Sequence, residues 1–152
     1  MKLNLRLKLV IFTFCVVLAV GGTISLYSTY QGRQRILTTF EKEYQKTAAM
    51  IAEIVTNEVY FLDLLSLRRR LENARVNPDI SYTYVTDVEG VVLADGTEEN
   101  ALRDQKLTDP LSMELLISND WRSRIEGAIL KIGGPILMAD GSRIGYLHVG
   151  FS

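Results

Sequence analysis

One histidine and one cysteine occur in this chain, and their scarcity decides much of the chemistry open to it. His148 stands near Ile144 and Tyr146 in a β-patterned stretch, with no second imidazole and no neighbouring thiol, so carboxylates alone would have to complete a transition-metal site. We expect no metal there; His148 reads as a structural or pocket-lining side chain. Covalent catalysis needs a nucleophile, a base and a group that orients the base. The serines are scattered, Cys15 lies in an apolar run, and the imidazole has no carboxylate close to it in sequence. No catalytic residue, no cofactor and no enzymatic activity are expected of this chain.

Other polar groups suit binding better than catalysis. Tyr82 and Tyr84 fall on one face of a strand-like segment, where their phenols would orient a small ligand or pack against a helix; both readings stay open. Arg68, Arg69 and Arg70 fit an anion site or, as such runs commonly do, a solvated helix face. Glu98 and Glu99, with Asp95 and Asp104, read as a cation site or as a solvated loop. The Asp87 region lacks the alternating oxygen ligands of a calcium loop and reads as a hairpin turn.

These groups must be positioned by what precedes and surrounds them. From Leu9 to Gly32 the chain carries no Asp, Glu, Lys, Arg or His. About 20 helical residues at about 1.5 Å each cross a hydrocarbon core about 30 Å thick, so Leu9 to Tyr30 is expected to be a transmembrane helix. Lys2, Arg6 and Lys8 precede it without an acidic residue, which places the N-terminus in the cytoplasm and the rest outside. A cleaved signal peptide is the competing reading, because Ala19, Gly21 and Gly22 are small. Apolar character nevertheless resumes at Ile24, Leu26 and Tyr27. Beyond the span acidic residues outnumber basic ones, which argues against a nucleic-acid surface.

From Arg33 to about Phe61, Ile36, Phe40, Tyr44, Ala48, Ile51, Val55, Val59 and Leu62 recur at intervals of three and four, the period of an amphipathic helix. Its membrane-proximal half is long enough to pair with a second copy. Asp63 is placed to cap a second helix that ends at Asn77-Pro78. Ile80 to Thr86 reads as a strand with Ile80, Tyr82 and Tyr84 on one face. Asp87 to Gly90 turns it into a return strand over Val91 to Ala94. Asp109 caps a short helix with Pro110 in its first turn. Trp121 to Ile132 is the next extended segment, broken by Gly133-Gly134-Pro135. Ile136 to Met138 and Arg143 to Phe151 then form a hairpin around Ala139 to Ser142. In that last strand Leu147, Val149 and Phe151 share one face, while Ile144, Tyr146 and His148 share the other. The expected class is α+β, a long helix packed on a five-stranded antiparallel sheet. Its parts are a basic tail over 1–8, a span over 9–30, a membrane-proximal helix over 31–62 and the rest of the domain over 63–152.

The residues Tyr82-Thr83-Tyr84-Val85-Thr86-Asp87-Val88-Glu89-Gly90-Val91-Val92-Leu93 carry a resemblance. So do Gly134-Pro135-Ile136, Asp140-Gly141 and the segment from Ile144 to Phe151. From Arg33 to Ser152 the chain resembles the single-Cache type of PAS-like extracytoplasmic sensor domain found in bacterial sensor histidine kinases, diguanylate cyclases and chemoreceptors. The resemblance implies a PAS-like sheet and a sensory role. In relatives that bind carboxylates, a basic side chain on the strand before the Gly-Pro step contacts the ligand, and Lys131 holds that place. Ala94 and Gly133 stand where those relatives' histidine or second basic residue would be sought, a departure from relatives with citrate-like or dicarboxylate ligands. Lys131, Tyr82, Tyr84, Tyr146 and His148 are therefore the candidate ligand-binding residues.

The expected function is the ligand-binding sensor of a membrane-bound signal-transduction receptor, possessed of an output domain outside this chain. The family's usual continuation, a second membrane helix and an output domain, leads us to expect a truncated chain. Expected partners are an organic acid or amino acid, the inner membrane and a second copy of the chain, with the sensor periplasmic or extracellular. The alternative from another class is a periplasmic interaction or dimerisation module without a small-molecule ligand.

Overall fold

The three-and-four spacing does produce a long helix. The computed structural model describes residues 5–152, and α1 runs Leu5–Tyr60. Within α1 the side chains of residues 5–11, 19, 21 and 23–38 lie outside the description, as do residues 1–4 altogether. The expected basic tail and much of the expected span, Leu9 to Tyr30, fall on those residues. Among the described residues no helix is long and apolar enough to cross a membrane. The chain divides into two compact units, one up to Phe40 and one over Glu41–Ser152, and the second holds the whole sheet.

In this unit α2 (Leu64–Ala74) follows α1, then β1 (Ile80–Thr86), β2 (Val92–Asp95), α3 (Pro110–Ile117), β3 (Arg122–Glu126), β4 (Ile129–Leu137) and β5 (Arg143–Phe151). The sheet is antiparallel throughout, in the order β2-β1-β5-β4-β3. Asp63 caps α2 by accepting the Ser66 amide at 3.1 Å, and Asp109 caps α3 ahead of Pro110, as the sequence leads one to expect.

One face of the sheet is filled by α1 and α2. Ala48, Ile51, Val55 and Val59 from α1 and Leu67 and Leu71 from α2 bury against Val85, Ile132, Ile136, Leu147, Val149 and Phe151. Tyr44 stacks on Phe151 with centroids 4.4 Å apart. Two described residues of the apolar pattern stay outside this core. Phe40 is exposed, and Leu62 lies beyond the helix end in the left-handed region at φ 52°, with Asp63 N–H closing on the Glu58 carbonyl at 2.9 Å.

Three strand expectations are corrected. Ile80 does not share a face with Tyr82 and Tyr84: the register shifts between Ile80 and Tyr82, and Ile80 joins the helix-side core. Ile144 likewise packs with that core instead of sharing the face of Tyr146 and His148, because the β4–β5 register shifts beside it. Third, Gly133-Gly134-Pro135 is no break. It runs through the middle of β4, while the turn falls earlier, at Gly127 with φ 62°. The glycines are packing residues: a Cβ on Gly133 would stand 2.4 Å from Leu115 Cδ1, and one on Gly134 would stand 2.2 Å from the Trp121 ring. Pro135 is tolerated because the β3 ladder ends opposite Gly133, leaving β4 paired only with β5 at that point.

Candidate functional site

Alternation along β1, β4 and β5 sends a second set of side chains to the sheet face away from α1 and α2. Cross-strand pairing defines three rows on it. Tyr82, Gly150, Lys131 and Arg124 form one row, Tyr84, His148, Gly133 and Arg122 the next, and Thr86, Tyr146 and Pro135 the third. All five candidates, Lys131, Tyr82, Tyr84, Tyr146 and His148, therefore share one face. Whether the tyrosines pack against the long helix is thereby resolved: they do not.

The rings on this face are ordered. Tyr82 and Tyr84 stack with centroids 5.5 Å apart, and Tyr84 stacks on His148 at 4.6 Å. Gly150 makes this possible, since a Cβ there would lie 2.2 Å from the Tyr82 ring. α3 lies over the same face. Its Leu111 and Leu115 cluster with Tyr146, and Leu115 occupies the space above Gly133.

Polar satisfaction is incomplete here. Thr86, Tyr146 and His148 are each 1% exposed, and Thr86 Oγ1, Tyr146 Oη and His148 Nδ1 have no hydrogen-bond partner in the protein. Burial lowers His148 to about 4, with Asp109 opposing the shift, so the imidazole is neutral at pH 7. Burial also raises the Tyr82 and Tyr84 phenols, and the Asp109 carboxylate adds to both shifts. Tyr146 is raised by burial against the Arg143 guanidinium, which stands 5.0 Å from its ring centroid. Burial works to raise Asp109 too, but the Ser112 hydroxyl and amide, helped by His148 and Lys131, outweigh it and hold the carboxyl below its usual value.

Charges flank this patch. Lys131, with its side chain 24% exposed, pairs with Glu126, and Arg124 pairs with Glu114 at 2.7 Å. Asp109 accepts from Ser112 Oγ at 2.5 Å and Ser112 N at 3.3 Å. Sequence patterning reveals Asp109 only as a helix cap; its place beside the tyrosines follows from where α3 docks, which no local signal encodes. Of the two positions suggested for a second basic residue, Gly133 is on this face, whereas Ala94 is buried in the helix-side core.

The remaining sequence candidates serve the structure. Arg70 pairs with Glu58, Arg68 donates to the Glu98 carbonyl at 3.2 Å, and Arg75 donates to the Gly96 carbonyl at 2.8 Å, tying α2 to neighbouring elements. Buried Asp95 accepts from Thr97 N, Thr97 Oγ1 and Leu102 N, so its carboxylate holds the acidic loop together. Among the described residues no cluster of acids, histidine or cysteine is arranged to hold a metal ion. A cavity of about 320 Å³ lies on the opposite side of the unit, lined by Ile51, Ile54, Arg70, Asn73 and Ile80 among others.

A five-stranded antiparallel sheet with helices before it and a short helix across its far face is the architecture of PAS-like sensor domains. The model for single Cache domain 3 matches residues 31–152, and the chain belongs to that family. The ligand-binding domain of the Campylobacter jejuni chemoreceptor Tlp3, solved with L-valine, superposes with a TM-score of 0.61 at 19% identity, covering 78% of this chain and 54% of that one. The Escherichia coli DcuS sensor domain gives 0.56 at 17% identity, covering 70% of this chain and 84% of that one. The sensor domain of the Vibrio cholerae histidine kinase DctB gives 0.56 at 15% identity, covering 77% and 50%. This chain thus spans about half the length of the Tlp3 and DctB domains. Among curated proteins no sequence relative matches it. The chain is a Cache-type sensor domain similar in fold to the ligand-binding domains of receptors.

Proposed function

We propose that this domain is the extracytoplasmic ligand-binding part of a membrane-bound receptor, anchored through Leu9 to Tyr30 with its N-terminus in the cytoplasm. A small organic acid or amino acid binds on the α3-side face against Lys131, Tyr82, Tyr84, Tyr146 and His148. The observation that carries this reading is the set of three buried, unpartnered polar atoms on a face lined by stacked rings. Buried polar atoms are normally paired, and a bound solute is a natural partner for these. The valine complex of Tlp3 supports an amino acid as one ligand class.

The anchor is supported by the uncharged run and by exposed apolar side chains within it, including Phe12, Phe14, Val17 and Leu18. α1 is the route by which binding is relayed to the membrane and to an output domain outside this chain. The relay extends only as far as the solute's affinity differs between two states. Exposed Met50 and Ile54, one turn apart on α1, suit contact with a second copy in a homodimer.

Thermal melts of the full chain in lipid nanodiscs against a panel of organic acids and amino acids test the proposal. A binder at a hundredfold excess over Kd should raise the melting temperature by roughly 5 °C or more. A panel without any binder would refute the sensory reading.

A further inference from the structure

Resting on the α3-side face as the ligand site, we infer that its solute carries charges of both signs: an ammonium group set against Asp109 and a carboxylate set against Lys131. That is the chemistry of an α-amino acid or a close zwitterionic relative.

The face carries charges of both signs. At the β3–β4 side, Lys131 and Arg124 are paired with Glu126 and Glu114, whose side chains are 59% and 46% exposed. Such exposed partners release a cation at little cost, so Lys131 is available to a carboxylate. Arg122 donates to Ser118 Oγ, and Arg143 donates to Asn119 Oδ1 beside Tyr146; both are rim contacts. Asp109, whose charge is felt by Tyr82, Tyr84, His148 and Lys131, makes no ion pair among the described residues, and its carboxylate accepts from Ser112. Its carboxylate also occupies the N-terminal amide of α3 that would otherwise favour an anion.

A solute with only negative charges would bring one of them towards Asp109, and a simple amine would bring its charge towards Lys131. A zwitterion meets an opposite charge at each end. The same face holds Thr86 Oγ1, Tyr146 Oη and His148 Nδ1, buried and unpartnered, which offer uncharged hydrogen bonds to a polar solute. The stacked Tyr82 and Tyr84 rings supply an apolar wall for its side chain.

Calorimetry on the full chain in nanodiscs tests this with four kinds of probe: the common L-amino acids, their N-acetyl derivatives, the acids succinate, malate and citrate, and the amine putrescine. We expect an L-amino acid to bind and its N-acetyl form, the acids and putrescine to fail. Asp109→Asn keeps a capping side chain and should weaken the amino acid about tenfold or more, as should Lys131→Gln. If Asp109→Asn does not fold, Asp109→Ser is the second capping variant, and the N-acetyl comparison reads the same contact in the unaltered protein. An acid that binds with affinity unchanged or improved in Asp109→Asn would overturn the charge assignment and leave the ligand face standing. No binding by any probe would overturn both.

Discussion

The two faces of one sheet have opposite characters. Towards α1 and α2, β1, β4 and β5 present Val85, Ile132, Ile136, Leu147, Val149 and Phe151 to an apolar layer. Towards α3 the same strands present Lys131, tyrosines, His148, Thr86 and two glycines, and three buried polar atoms lack partners. A single period-two alternation generates both. With the ligand site proposed above, stability and recognition fall to alternate residues of the same strands and should separate under mutation.

The largest effect is expected on the helix side. Phe151→Ala removes a ring that is 1% exposed and stacked on Tyr44, and should cost about 4 kcal/mol in denaturant unfolding. Next comes a pH effect from the other face. His148 is lowered in the folded protein to about 4, from an ordinary value of 6.5. The unfolded chain therefore binds the extra proton first, and the stability held above pH 6.5 is lost as pH falls through that window to about 4. The loss is roughly 3 kcal/mol at most. His148→Asn should flatten this part of the stability profile, whereas the lowered Asp109 carboxyl acts at still lower pH. Gly150→Ala puts a methyl group against the Tyr82 ring and should cost about 2 kcal/mol while altering the near-ultraviolet circular dichroism of the tyrosine stack. The smallest stability change is expected for Lys131→Ala. Its partner Glu126 is well exposed, so melting should shift by about 0.5 kcal/mol or less even if binding is lost.

Much of this architecture is legible in sequence because its signals are local. Asp63 and Asp109 cap helices, Gly90 and Gly141 take positive φ in turns, and alternation puts Leu147, Val149 and Phe151 opposite Tyr146 and His148. The failures are those where one residue changes the period or where a contact is remote. Bulges beside Ile80 and Ile144 reverse a face without a sequence mark, and Gly133 and Gly134 look like a break although they make room for Leu115 and Trp121. The candidate residues of the face were readable from alternation and from family likeness. Asp109, Ser112 and Thr86 were not, since their relevance depends on α3 folding back across the sheet.

We propose recognition at the α3-side face and not in the groove between α1 and α2 lined by Ile54 and Asn73. The most direct measurement is the calorimetric Kd of the tightest panel compound for the unaltered chain, Lys131→Ala and Asn73→Ala. The expected result is a loss of about tenfold or more for Lys131→Ala and no change for Asn73→Ala. Loss in Asn73→Ala with unchanged binding in Lys131→Ala would contradict it and move the site to the helix groove.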